Sequence, residues 1–150
     1  MITFNVINSE CPISFNAGGD SISFSVNDRV VNIGTSNIIE GITGAALSGH
    51  KAVISSAGKI FYADSTNLDH VNKILGITLN AAEENAKIKI QNYGEFVESS
   101  FSFTPDMPIY VGGNGGLTQA IPTSGFIQQI ATALSATKIF IDIKTLIIIS

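Results

Sequence analysis

The chain has 150 residues, a formal net charge of -4, 13% charged residues and 45% apolar residues, and its mean hydropathy is +0.34. A soluble domain ordinarily carries about 25% charged residues, so Ser, Asn, Thr, Gln and Gly must supply most of the polar surface, and eight Lys and Arg against twelve Asp and Glu exclude a broad phosphate-neutralising footprint. The apolar content and small net charge exclude a disordered chain, and the length fits one globular domain. The scarcity of charge reads as surface turned toward subunit contacts, because interface cores are depleted in Lys, Glu and Asp.

Met1-Ile-Thr-Phe-Asn-Val lacks the basic region and apolar run of a secretory leader, so none is expected. Cys11 is the single cysteine, which precludes an internal disulfide, a CxxC pair or a thiolate zinc site. It reads as a free thiol in a chain made in a reducing cytoplasm. Ile2 to Ile7 alternates, Asn16 to Asp20 breaks the chain, and Ser21 to Ile33 then reads as a hairpin. In that hairpin Ile22, Phe24 and Val26 share one face, and Asn27-Asp28 forms the turn.

Ser36 to Gly44 reads as irregular, and the composition changes at Thr43-Gly-Ala-Ala-Leu-Ser-Gly-His50. Residues 1–44 are therefore expected to form an N-terminal β-rich attachment or oligomerisation segment, and residues 45–150 a second β-domain. A strand over His50 to Ile54 pairs with Lys59 to Ala63 across Ser55-Ser-Ala-Gly58. Asp64-Ser-Thr-Asn67 closes that strand and can cap a short segment from Leu68 to Leu75, as a helical turn or an extended arm. Two later stretches share a plan of strand, Ala-containing connection and alternating strand: Ile74–Thr78 to Lys87–Gln91, and Ile127–Ala131 to Lys138–Asp142. Between them, Asn114-Gly115 is a hairpin signal, since a type I′ turn needs positive φ at both central residues. The apolar run from Lys138 to Ser150 is broken by Asp142 and Lys144, too short to span a bilayer. The expected fold is mainly β, a short N-terminal β segment followed by a compact antiparallel barrel or sandwich.

Sites for chemistry are sparse. Gly112-Gly-Asn-Gly-Gly116 leads into strand-like sequence and has neither a dinucleotide fingerprint nor a GKS or GKT, so it reads as a hairpin tip. His50 and His70 are the only imidazoles. In a strand Ser48 and His50 would share a face and Asp69 and His70 would not, but Ser48 lacks a GxSxG elbow. Glycoside hydrolysis needs only two carboxyl groups about 5 to 10 Å apart, and Glu83, Glu84, Glu95 and Glu98 are the clustered acids. Glu83 and Glu84 fall in a solvated connection and nothing else marks a cleft. Without Trp, a sugar platform would rest on Tyr62, Tyr93, Tyr110 or Phe residues. The densest aromatic region, Tyr93 to Phe96 with Phe101 and Phe103, reads as core or subunit seam. No catalytic, cofactor-binding or metal-ligating residue is assigned.

A set of pieces recurs in a distinctive order. These are Ala46-Leu-Ser-Gly-His-Lys-Ala-Val53, Gly58-Lys-Ile-Phe-Tyr-Ala-Asp64, Ser65-Thr-Asn67, His70, Ile74-Leu-Gly-Ile77 and Gly94-Glu95. They continue with Thr104-Pro-Asp-Met-Pro-Ile-Tyr-Val111, Gly115-Gly-Leu-Thr118, Ala133-Leu-Ser135 and Ile139-Phe-Ile-Asp142. Over roughly residues 45–145 this order resembles the β-domain of tailed-bacteriophage tail-fibre and tail-spike proteins, with a related pattern in phage head-decoration proteins. The resemblance implies a non-enzymatic structural protein of the virion, made in the host bacterial cytoplasm and assembled as a homotrimer. It implies contact with other virion proteins of tail or capsid and with a host surface glycan or outer-membrane receptor, without cofactor, nucleic acid or membrane insertion. Met1 to Gly44 replaces the long collagen-like or coiled-coil stem of many fibres, which fits a short fibre. A head-decoration protein that stabilises the shell is the alternative, and a virion-associated glycan hydrolase the third reading.

Overall fold

A computed structural model describes residues 37–149, together with three strands nearer the N-terminus. The chain divides into two compact units, Met1–Ser36 and Asn37–Ser150. In the first, β1 (Ser14–Gly18), β2 (Ser21–Val26) and β3 (Arg29–Ile33) form an antiparallel meander in that order. The expected hairpin is therefore present as β2 and β3, with Phe24 opposite Val31. The expected break at Asn16 is displaced, because Asn16 and Ala17 continue β1 opposite Ser23 and Ile22. Backbone pairing overrides a low strand preference there. The alternation at Ile2 to Ile7, Cys11 and the Asn27-Asp28 turn lie outside the described residues.

The second unit is built from two five-stranded antiparallel sheets and one small sheet, with no α-helix among the described residues. Its strands are β4 (Ile38–Ile42), β5 (Ala52–Ser56), β6 (Lys59–Tyr62), β7 (Ile74–Thr78), β8 (Lys87–Gln91) and β9 (Tyr93–Val97). Then follow β10 (Pro108–Val111), β11 (Leu117–Thr118), β12 (Phe126–Ile127), β13 (Gln129–Ala133), β14 (Lys138–Asp142) and β15 (Ile147–Ile148). One sheet has the order β4-β8-β7-β5-β6, the other β11-β10-β13-β14-β9, and β12 pairs with β15.

Both strand–connection–strand repeats are antiparallel neighbours, β7 with β8 in one sheet and β13 with β14 in the other. The Ser56-to-Lys59 turn is a two-residue loop with φ +49 at Ala57 and +75 at Gly58, the left-handed pair that matches strand twist. Asn114 and Gly115 take φ +50 and +72 at the tip between β10 and β11, as the sequence predicts. Two expectations need correction. Ser36 to Gly44 is not irregular, because β4 pairs with β8 along its whole length, and the first strand after His50 begins only at Ala52.

The first sheet curls until its end strands meet. Thr43 forms a parallel bridge with Ile60, and Gly44 N donates to Ile60 O at 2.9 Å. Gly41 makes this approach feasible, since a Cβ there would stand 2.6 Å from Ile60 Cγ1. Inside the curl Leu47, Val53, Ile60, Ile88 and Ile90 form one core. On the reverse side Ala52, Ile54, Ala63 and Ile77 meet Phe96, Ile109, Ile130, Ile139 and Ile141 of the second sheet in another. Each fully buried Ile contributes about 1.5–3 kcal/mol of transfer free energy, so these two cores carry the unit.

Two joints tie the sheets. Strands β8 and β9 are one extended run with Asn92 at the corner, where its N-H donates to Asn37 O at 2.9 Å. At the other joint the β10–β11 tip docks between β5 and β6, with Ala52 N donating to Gly115 O at 2.9 Å. A Cβ on Gly115 would meet Tyr62 Cδ1 at 2.7 Å, so glycine serves this position twice, by its positive φ and by its lack of a side chain.

Candidate functional site

The strongest candidate for contact with a partner is the outer face of β9 and β14. Register places Tyr93 opposite Asp142, Glu95 opposite Phe140 and Val97 opposite Lys138, so these six side chains form one outer ladder while Phe96, Ile139 and Ile141 point into the core. Tyr93 is 50% exposed and Val97 65% exposed. The Tyr93 and Phe140 rings meet edge-on, 5.3 Å between centroids at 80°. Lys138 Nζ lies 3.1 Å from Glu95 Oε2, and Asp142 pairs with Lys144. The charges on this ladder are thus neutralised in pairs, which leaves an aromatic and apolar surface held flat by a sheet.

β9 is also an edge strand. Gln91 Nε2 donates to Tyr93 O at 3.0 Å and to Glu95 O at 2.8 Å, so a side chain takes the carbonyl groups that a further strand would use. Nothing in the local sequence pattern marks Gln91 for this task; only the corner at Asn92 brings its amide back onto β9.

A second cluster surrounds His50. Its backbone takes φ +60, in a bend ahead of β5, so strand alternation does not govern how Ser48 and His50 are placed. Nε2 lies 3.1 Å from Glu98 Oε2, with side-chain exposures of 35% and 20%. The ring meets Phe96 and Phe101 edge-on at 5.6 and 6.1 Å, and Phe101 lies 5.0 Å from Phe103. The two phenylalanines of the expected seam therefore pack together against the core. Glu98 Oε1 accepts from Ser100 N at 2.9 Å. Hydrogen bonding by Ser100, with the nearby His50, holds its carboxyl below the usual carboxylate range. The arrangement fastens the loop ahead of β5 to the end of β9.

The remaining acids do not converge. Glu83 and Glu84 are exposed in the β7–β8 connection, while Glu95 pairs with Lys138 and Glu98 with His50. They flank Phe96-Val97 as expected, but Glu98 lies just past the end of β9, and the two carboxylates serve different partners. Beside the connection, Leu47 bridges Ala82 at the base of a shallow depression of about 370 Å³ lined by Ala46, Ser48, Ala81 and Glu83.

His70 belongs to neither a strand nor the His50 cluster. It ends a 3-10 turn, Leu68–His70, whose cap is Asn67, with Oδ1 accepting from Asp69 N; the expected capping role of Asp64 to Asn67 is met. Of the two forms expected for the segment from Leu68, the helical turn is the one present, because this cap bends the chain. Asp64 N donates to His70 Nδ1 at 3.0 Å, which fixes Nδ1 as an acceptor. Asp64 Oδ1 accepts from Thr66 N and Thr66 Oγ1 at 2.9 and 2.7 Å, and Oδ2 accepts from Asn114 N at 3.4 Å. The Thr66 hydroxyl is the main cause that lowers the Asp64 carboxyl below its ordinary value of 3.8. This network braces the hairpin tip against β6. No group of three or more His, Cys, Asp or Glu among the described residues is placed to hold a metal ion, and no described helix is long and apolar enough to cross a membrane. No protein-family model matches the chain, and no curated protein matches it.

Proposed function

We propose that the chain is a non-enzymatic structural protein of a tailed-phage virion, a homotrimeric short tail fibre that takes part in attachment to the host surface. The observation that carries this reading is the charge-neutralised outer ladder of β9 and β14, with Tyr93 and Val97 exposed on a rigid sheet. Large exposed apolar groups on a soluble protein mark contact surfaces, and the order of short motifs over residues 45–145 supports the virion setting. The charged side chains around the two histidines are engaged in bracing loops and strand ends, which supports a structural role for them.

The decisive experiment has two arms. Antibody against this chain is used to label virions for electron microscopy, and the purified protein is tested for binding to host cells and to undecorated heads. Labelling of the tail with binding to cells is the expected result; binding to heads alone overturns the fibre reading in favour of shell decoration.

A further inference from the structure

The tip between β10 and β11 is built on the one Asn-Gly pair in the sequence, Asn114-Gly115. Gly113 O accepts from Gly116 N at 2.9 Å, and the two residues between them hold the left-handed positions of a type I′ turn, for which Asn followed by Gly is preferred. Asn114 is exposed and Gly115 buried. Both backbone groups of Gly115 are taken up by the other sheet, its N-H donating to Ala63 O and its carbonyl accepting from Ala52 N. Ser65 N donates to Gly112 O at 3.0 Å, so the tip is fastened to the start of β5 and to the chain just past β6. No side chain fits at the second position, where a Cβ would stand 2.7 Å from Tyr62 Cδ1 and 3.1 Å from Ala52 O. Turn and docking together thus demand a residue pair that is chemically labile.

Asn followed by Gly is prone to deamidation because no side chain hinders the glycine nitrogen. In that reaction the Gly115 nitrogen loses its proton to solvent base and its electron pair forms a bond to Asn114 Cγ. The Cγ–Nδ2 bond breaks, and the amide nitrogen leaves with a proton from solvent as ammonia, which leaves a five-membered succinimide. Water then opens the ring at either carbonyl to give aspartate or isoaspartate, with no change of oxidation state. In the docked tip the attacking nitrogen is buried and its proton is engaged with Ala63 O, so a buried hydrogen bond must be given up before the reaction begins. We infer that Asn114-Gly115 is a modification site gated by the docking of this tip: closed while Gly115 is paired, open when the tip lifts, and barred from docking again once isoaspartate forms. Isoaspartate routes the main chain through an additional carbon, so the turn and both Gly115 pairings no longer fit one register. Either product also places a carboxylate close to Asp64, whose Oδ2 accepts from Asn114 N at 3.4 Å, and the two like charges repel.

The test uses the full chain, incubated in mildly alkaline buffer with and without denaturant, with deamidation at Asn114 followed by peptide mass spectrometry. The folded chain is expected to react at least about tenfold more slowly, the factor given by a local opening free energy of about 1.4 kcal/mol. Equal rates, or no reaction in denaturant, overturn the gate. The isoaspartate form made in denaturant is then returned to buffer and its amide hydrogen exchange compared with that of the parent. Fast exchange at Ala52 and Gly115 is expected, with β13 and β14 still protected. Protection retained at Ala52, or lost throughout both sheets, overturns the claim that the modification acts on docking.

Discussion

At the scale of single residues, turn geometry and hydrogen-bond capacity govern the structure. Ala57 occupies the first position of a type I′ turn at φ +49, where an L-residue with a Cβ costs about 1–2 kcal/mol and Asn costs less. Ala57 is exposed, so Ala57→Asn loses no packing and is expected to stabilise the protein by about 0.5–1 kcal/mol, read as a higher midpoint of urea unfolding with an unchanged slope. Asp64 gives a pH dependence. Its folded carboxyl ionises below its ordinary value of 3.8, so its contribution is fully present above the unfolded carboxylate range and is lost as pH falls through the folded value. The group is mostly solvated, which keeps the effect below about 1 kcal/mol. The expected result is that Asp64→Ala lowers stability at pH 7 while the difference from the parent shrinks toward pH 3, measured by chemical unfolding at each pH.

At the scale of elements, the curl of the first sheet hangs on a buried threonine. Thr43 Oγ1 accepts from Ala86 N at 3.1 Å and approaches the Glu83 and Ala86 carbonyls. Thr43→Val preserves the shape but removes the side-chain hydrogen bonds to these groups, each of which keeps one backbone partner, at a cost of about 0.5–1.5 kcal/mol. Hydrogen exchange is expected to quicken at Ala86 and along β4 while the second sheet stays protected; uniform quickening in both sheets would refute this local role. The hairpins β5–β6 and β10–β11 and the repeated strand pairs were legible beforehand because their information is local: alternation of side chains and turn residues with positive φ. Strand β4 was not, since Glu40-Gly41 interrupts its apolar pattern and only its pairing with β8 makes it a strand. The start of β5 was misplaced for a related reason, because the left-handed bend at His50 replaces the strand that its neighbours suggest.

At the scale of the whole molecule, the shortage of charge has specific locations among the described residues: the paired ladder of β9 and β14 and the exposed Ile147 and Ile148 of β15. In the proposed assembly, copies joined through such surfaces would depend on apolar burial and not on ion pairs. Its mass by light scattering is therefore expected to hold between about 0.1 M and about 1 M salt, over which the screening length falls from about 10 to about 3 Å. Dissociation at high salt would show that charges, and not these faces, join the copies.

The sequence by itself determined the all-β class, most hairpins and their turn chemistry, and the poverty of charged surface, because period-two alternation and positive-φ residues act over a few neighbouring positions. Tertiary structure decided that the strands form two sheets, one of which curls closed, that β8 and β9 turn a corner between them, and that Glu95 and Glu98 serve separate partners. Those outcomes depend on contacts between residues far apart in the chain, such as Thr43 with Ile60 and Gly115 with Ala52. No local pattern encodes them, because the free energy that selects them is released only when whole faces are buried together.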